Sequence, residues 1–253
     1  MLMFVESEAG RLECVASGSD SSGRTNVVLV HGIQGTAAIW APIIPQLSDT
    51  RRILAPNLRG RAASFAPDVL EAYTMTAFAS DLRAVIKQAT GPIVLVGWSM
   101  GSLVALEYLK RYGAEGIIGL GLISGSSCLQ VDGGKDAIWF HEETAEKLAE
   151  EAAGRVKRLQ LTQAATDRAV AGSWLSARKA DYRQELNSIK LPVLLIHGAE
   201  DPECPIEHAH SMANALPNAR LEVWEDCGHL PMAHDPQRFA SALEGFALSC
   251  ETG

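Results

Sequence analysis

The sequence predicts an α/β fold, a mostly parallel sheet of about eight strands flanked by helices. Three observations lead there. Short β-rich runs alternate with longer stretches of helical periodicity, as in strands joined by crossover helices. The 253 residues suit one domain with a full core, and 47% apolar against 21% charged residues is a globular balance. The third observation is the pentapeptide Gly97-Trp98-Ser99-Met100-Gly101, which sits where an apolar run meets an apolar-periodic stretch.

The elements follow in order. Residues 2–6 and 11–16 read as an opening pair of strands, and 27–30 as a buried strand running into His31-Gly32. Residues 39–47 read as a helix interrupted or ended by its prolines. Next come a strand at 53–56, a helix at 75–88, a strand at 92–96 and a helix at 102–112. Strands at 117–123 and 193–197, a helix at 206–216, a strand at 220–224 and a closing helix at 236–248 complete the pattern. The alternation breaks once. Between Ser124 and Lys190 only helix-like sequence is found, at 142–158 and 161–178. That stretch has apolar stripes and lacks the Pro, Gly and Ser richness of a linker, so 125–190 is expected to be a helical cap inserted into a core of 1–124 and 191–253.

A formal net charge of −8 gives no basic footprint for nucleic acid or an anionic membrane. The expected partner is a small molecule. No apolar run is long enough to span a bilayer, and the opening Met1-Leu2-Met3-Phe4-Val5-Glu6 lacks a basic n-region and a long h-region. A cytoplasmic location is the expectation. Five cysteines, at 14, 128, 204, 227 and 250, form no C-x-x-C and read as reduced packing residues. Nothing points to a metal or an organic cofactor, and oligomeric state is not written in these residues.

The chemistry is carried by three segments. Gly-x-Ser-x-Gly between a strand and a helix is the context of a nucleophile elbow, a tight turn that presents a serine hydroxyl above a sheet. A hydroxyl is a weak nucleophile and needs a base; histidine suits that task, and a carboxylate must fix its tautomer. The strand ending at His197 leads into Gly198-Ala199-Glu200-Asp201-Pro202, and the strand ending at Trp224 leads into Asp226-Cys227-Gly228-His229. Ser99, Asp201 and His229 therefore occur in the order nucleophile, acid, base, each just past the carboxyl end of a strand. Glu200 competes with Asp201 for the role of acid. His31, His197, His208, His210 and His234 are expected to be structural or exposed.

With these segments in hand, the sequence resembles the α/β-hydrolase fold family, specifically its small single-domain esterase-like members with a helical cap. The resemblance rests on Val30-His31-Gly32, Pro56-Asn57-Leu58-Arg59-Gly60, the Gly97 to Gly101 elbow, Gly198 to Pro202 and Gly228-His229-Leu230-Pro231. It implies an oxyanion hole built from the backbone N–H groups of Ile33 and Met100. Two departures stand out. The family's D-x-x-G-x-G-x-S loop reads here Asn57-Leu58-Arg59-Gly60-Arg61-Ala62-Ala63-Ser64, without the acid or the second glycine, and the elbow is followed by Ser102 where many relatives have glycine.

The expected activity is hydrolysis of a small or medium apolar carboxylic ester by a Ser-His-Asp acyl-enzyme route. Lactone, thioester or carbon–carbon bond hydrolysis and cofactor-free perhydrolase or haloperoxidase-like chemistry use the same constellation, and a ligand receptor on the same fold is the alternative from another class, against which an intact triad counts. Trp98, Trp139 and Trp174 are the candidates for substrate contact, with packing in the cap or under the serine as the competing role.

Overall fold

The computed structural model describes residues 1–18, 25–129, 140–142 and 144–252. Among these, strands β1 (Leu2–Glu6), β2 (Arg11–Ser17), β3 (Asn26–Val30), β4 (Ile53–Pro56), β5 (Ile93–Trp98), β6 (Ile117–Ile123), β7 (Val193–Gly198) and β8 (Ala219–Trp224) form one sheet. Its order is β1-β2-β4-β3-β5-β6-β7-β8, with β2 antiparallel to both of its neighbours and the remaining pairs parallel. Strands buried on both faces lose the polar alternation of a half-exposed sheet and become continuous apolar runs. Every residue of β3, Asn26-Val27-Val28-Leu29-Val30, is buried. Side chains still alternate across it. Val28 and Val30 enter the core on one face, and Val27 and Leu29 the core on the other.

Helices α1 (Ile44–Ser48), α2 (Met75–Ile86), α3 (Met100–Tyr112), α4 (Ala145–Arg158) and α5 (Asp167–Ala177) are followed by α6 (Arg183–Leu186), α7 (Glu207–Ala215), α8 (Pro231–His234) and α9 (Pro236–Thr252). Phe78 and Leu82 of α2 and Leu103 and Leu106 of α3 fill one core; Leu47 of α1 and Phe239, Leu243 and Phe246 of α9 fill the other. The segment 39–47 is not one helix. A 3₁₀ turn at Ala37–Trp40 ends before Pro42, and α1 restarts with Pro45 in its first turn, where an absent N–H costs no helical hydrogen bond.

Between β6 and β7 the described residues hold α4, α5 and α6, with Cys128 and Asp181 joined in an isolated β-bridge. Thr144 and Thr166 start α4 and α5 by accepting the amides of Lys147 and Ala169. Because β3, β5, β7 and β8 run parallel, the turns after them gather at one edge of the sheet. Ile33, Ser99, Asp201 and His229 lie in those four turns.

Candidate active site

Ser99 has φ 55° and ψ −122°, a backbone conformation that costs a non-glycine residue about 1–3 kcal/mol and persists only where its surroundings impose it. The two flanking glycines impose it here. A Cβ on Gly97 would fall 2.3 Å from the Gly101 carbonyl oxygen, and one on Gly101 would fall 2.3 Å from the Val30 carbonyl oxygen. Strand β5, helix α3 and strand β3 therefore close on the turn more tightly than any larger residue permits. Ser102 is absorbed by the same packing, since its buried hydroxyl donates to the Gly97 carbonyl at 3.0 Å.

The Ser99 hydroxyl lies 3.0 Å from His229 Nε2, and His229 Nδ1 lies 2.8 Å from Asp201 Oδ2. With the Nδ1–H donating to the carboxylate, Nε2 is left as the acceptor for the serine proton. The other carboxylate oxygen of Asp201 accepts the amides of Glu203 and Cys204, each at 2.9 Å. Burial alone would raise the Asp201 carboxyl. The His229 charge and hydrogen bond outweigh it and hold the carboxyl below its ordinary value. Glu200 is exposed, and its amide ties the acid loop to the Cys227 carbonyl at 3.0 Å. Trp98 packs behind His229. Its indole N–H donates to the His229 carbonyl at 2.8 Å, and the two rings lie 5.3 Å apart.

Among the described residues, neither the Ile33 nor the Met100 amide has a hydrogen-bond acceptor of its own. Both residues line a cleft that also contains Ser99. The Met100 amide opens α3, whose N-terminus adds partial positive charge beside the serine. Leu103, Leu129, Phe140, Trp174 and Ala177 give the cleft apolar walls. Of the three tryptophans singled out from sequence, Trp174 lines the cleft, stacked at 5.3 Å on Phe140. Trp98 does not line it, because its ring lies under the Gly32 turn and against His229. Trp139 lies outside the described residues.

Sequence reasoning missed the polar residues around this cleft. Arg155 of α4 bonds Glu203 Oε2 at 2.7 Å and Gln34 Oε1 at 3.0 Å, while Arg158 bonds Glu203 Oε1 at 2.7 Å. Helix α4 is thus tied to the acid loop and to the residue after Ile33. No motif announces such contacts, which join residues up to 121 positions apart. His197 is buried and 3.5 Å from Asp201 Oδ2, with Nε2 at 2.6 Å from the Cys204 carbonyl. It braces the acid loop from the end of β7. Among the described residues no cluster of three or more His, Cys, Asp or Glu could hold a metal ion.

The buried histidines make stability depend on pH. Burial, then the nearby Arg61 charge, push His31 from 6.5 to about 3, and burial followed by His197 pushes His208 to about 4. Both folded values lie below the unfolded one, so the unfolded chain binds more protons as pH falls. Stability should drop from about pH 6.5 downward and level off once the folded values are passed. Thermal unfolding between pH 7 and pH 4 should therefore show a shallower decline in His208→Gln than in the parent. Equal slopes would remove His208 from the acid-sensitive set.

Residues 27–242 match the family described as the alpha/beta hydrolase family. A pimeloyl-[acyl-carrier protein] methyl ester esterase from Aromatoleum aromaticum is 29% identical over 252 residues, covering 87% of this chain and 97% of its own. The enzyme of the same name from Nitrosomonas europaea is 27% identical, over 87% of this chain and 94% of its own. Among solved structures, a thermophilic esterase from Thermogutta terrifontis superposes with a TM-score of 0.82 at 25% identity, over 99% of both chains. An esterase from Rhodococcus sp. ECU1013 gives 0.83 at 23% identity, over 98% of this chain and 99% of that one. The fold agrees with these matches, and the chain belongs to the alpha/beta hydrolase family.

Proposed function

We propose that the protein is a serine carboxylic ester hydrolase whose substrates are esters with small or medium, largely apolar acyl groups. Ester hydrolysis is the activity in the names of the relatives from Aromatoleum aromaticum and Nitrosomonas europaea. The observation that carries the mechanism is the run of contacts from Asp201 through His229 to the Ser99 hydroxyl, at 2.8 and 3.0 Å, ending in a cleft with two unengaged backbone amides. In this mechanism Ser99 Oγ attacks the acyl carbon while His229 Nε2 takes its proton. The carbonyl oxygen becomes an oxyanion held by the Ile33 and Met100 amides. Collapse breaks the bond to the alcohol oxygen, to which His229 returns the proton. Water, deprotonated by His229, then attacks the acyl-enzyme, and the acid leaves as Ser99 recovers its proton.

We assign the helical segment 125–190 to substrate choice. Its support is that Leu129, Phe140, Arg155, Trp174 and Ala177 all come from that segment and line the cleft. A panel of esters graded in acyl and alcohol length, with thioesters and lactones alongside, tests the function directly. Turnover that prefers short and medium acyl esters supports it, and turnover confined to thioesters or lactones replaces it. Trp174→Ala should alter relative kcat/KM along the acyl series by about 10- to 200-fold, the range that one pocket methylene commands. An unchanged profile in a folded variant would make Trp174 a packing residue only.

A further inference from the structure

The loop of residues 57–64 departs from the family pattern at Asn57 and Ala62, which flank Arg61, and its hydrogen bonds converge on the turn that carries Ile33. That turn contains Gly32 and Gly35 and is closed by the Gly35 amide donating to the Gly32 carbonyl at 3.2 Å. It is also gripped from the side. The Leu58 amide donates to His31 Nε2 at 3.1 Å, which leaves the proton on Nδ1, and Nδ1 donates to the Gly32 carbonyl at 2.8 Å. The Gly32 carbonyl and the Ile33 N–H belong to one planar peptide, so holding the first aims the second. Arg61 Nη2 donates to the next carbonyl, that of Ile33, at 2.6 Å, and the Asn57 side-chain oxygen accepts the Ala37 amide at 2.7 Å. His31, Asn57 and Arg61 are all buried.

Arg61 is an unusual residue to find here. Its side-chain hydrogen bonds go to the Arg59 carbonyl at 2.8 Å, the Ile33 carbonyl and the Ser173 hydroxyl at 3.0 Å, and its face lies over Phe78. Asp81, the nearby carboxylate, is engaged by Arg59 at 2.7 and 2.8 Å. Among the described residues no carboxylate pairs with Arg61. Burial pulls its guanidinium down to about 9, which still leaves it cationic at neutral pH. The backbone around it is also bent to fit, since Ala62 has φ 47° where the family pattern has glycine. A buried cation with no carboxylate bonded to it disfavours folding, and residues of that kind are retained where a site needs them.

We propose that Arg61 is a positioning residue for the oxyanion site, fixing residue 33 through its carbonyl so that the Ile33 amide stays aimed at the oxygen that gains charge. Through Ser173 of α5 the same guanidinium couples that amide to the helices over the cleft. The proposal rests on the serine hydrolase reading above. A donor that must be aimed before the reaction contributes to the transition state more than to substrate binding. Its loss falls on kcat, with KM little changed.

The test compares the parent with Arg61→Met, Arg61→Lys and Ser173→Ala, each normalised to the sites titrated by an organophosphonate. Arg61→Met should lower kcat by about 10- to 100-fold, below the full loss of an oxyanion donor. Affinity for butylboronic acid, which forms a tetrahedral adduct on the serine, should fall by a matching factor while KM holds. Arg61→Lys keeps the charge and one hydrogen bond and should fall in between. Ser173→Ala should show a small loss of the same sign. A folded Arg61→Met that keeps the parent's kcat and boronate affinity overturns the proposal. If Arg61→Met does not fold, Arg61→Lys decides: reduced kcat and boronate affinity at constant KM support the role, and parental values overturn it. A parent that neither takes the phosphonate nor turns over any ester overturns the serine hydrolase reading, and the positioning role with it.

Discussion

Ser99→Ala should lose both turnover and labelling by a serine-directed organophosphonate while the chain still folds. The expected loss in kcat is about 10⁶-fold, the scale seen when the nucleophile of a serine triad is removed. Alanine keeps the Cβ and deletes only the hydroxyl that sits 3.0 Å from His229 Nε2, so the packing of β5 and α3 around the turn is preserved. Mass spectrometry of the labelled parent should place the adduct on Ser99. Ser124 and Ser126 also line the cleft, and an adduct on either, with activity retained in Ser99→Ala, would move the nucleophile. A companion variant separates chemistry from strain. At φ 55° a side chain is disfavoured and glycine is at ease, so Ser99→Gly should unfold at a higher temperature than Ser99→Ala although both are inactive. Equal melting temperatures would mean that the elbow stores no strain that glycine can relieve.

The fold was legible because the inner strands of this sheet are buried on both faces and are bounded by turn residues. β3 and β5 announce themselves as apolar runs, and the parallel order follows from helices between them. The candidate triad was legible for a related reason: in a parallel sheet the loop after each strand falls at the same edge, so a residue's place in the chain nearly fixes its place in the site. Where position depends on a side chain reaching across the fold, the sequence was silent. Arg155 meets Glu203 across 48 positions, and Arg61 meets Ser173 across 112, and neither pairing leaves a periodic trace. Trp98 shows the same limit from the other side. Its neighbours in sequence suggested a pocket wall, yet the alternation along β5 turns its ring away from α3 and beneath His229. The helix expected at 39–47 is interrupted at its prolines, because the two could not both occupy first-turn positions of one helix.

Asp201→Asn should lower kcat by about 10³–10⁴-fold, whereas Glu200→Gln should cost far less. The two acids are adjacent in sequence, so the contrast reads geometry and not general acidity. Asp201 is buried with one oxygen 2.8 Å from His229 Nδ1 and the other accepting two amides, an arrangement that holds the carboxylate in one orientation. An asparagine there can turn its NH₂ toward Nδ1 and favour the wrong imidazole tautomer, with the proton on Nε2, facing the serine it should deprotonate. It can also turn its NH₂ toward the Glu203 and Cys204 amides, where a donor meets donors. Either orientation leaves one partner mismatched, and neither supplies the negative charge that stabilises the imidazolium. Glu200 faces solvent and touches the site only through its backbone amide, bonded to the Cys227 carbonyl, which glutamine retains. Steady-state kinetics on the preferred ester, normalised to correctly folded protein by circular dichroism, measures both losses. A larger loss for Glu200→Gln than for Asp201→Asn would place the acid on Glu200 and require the loop after β7 to shift by one residue during catalysis.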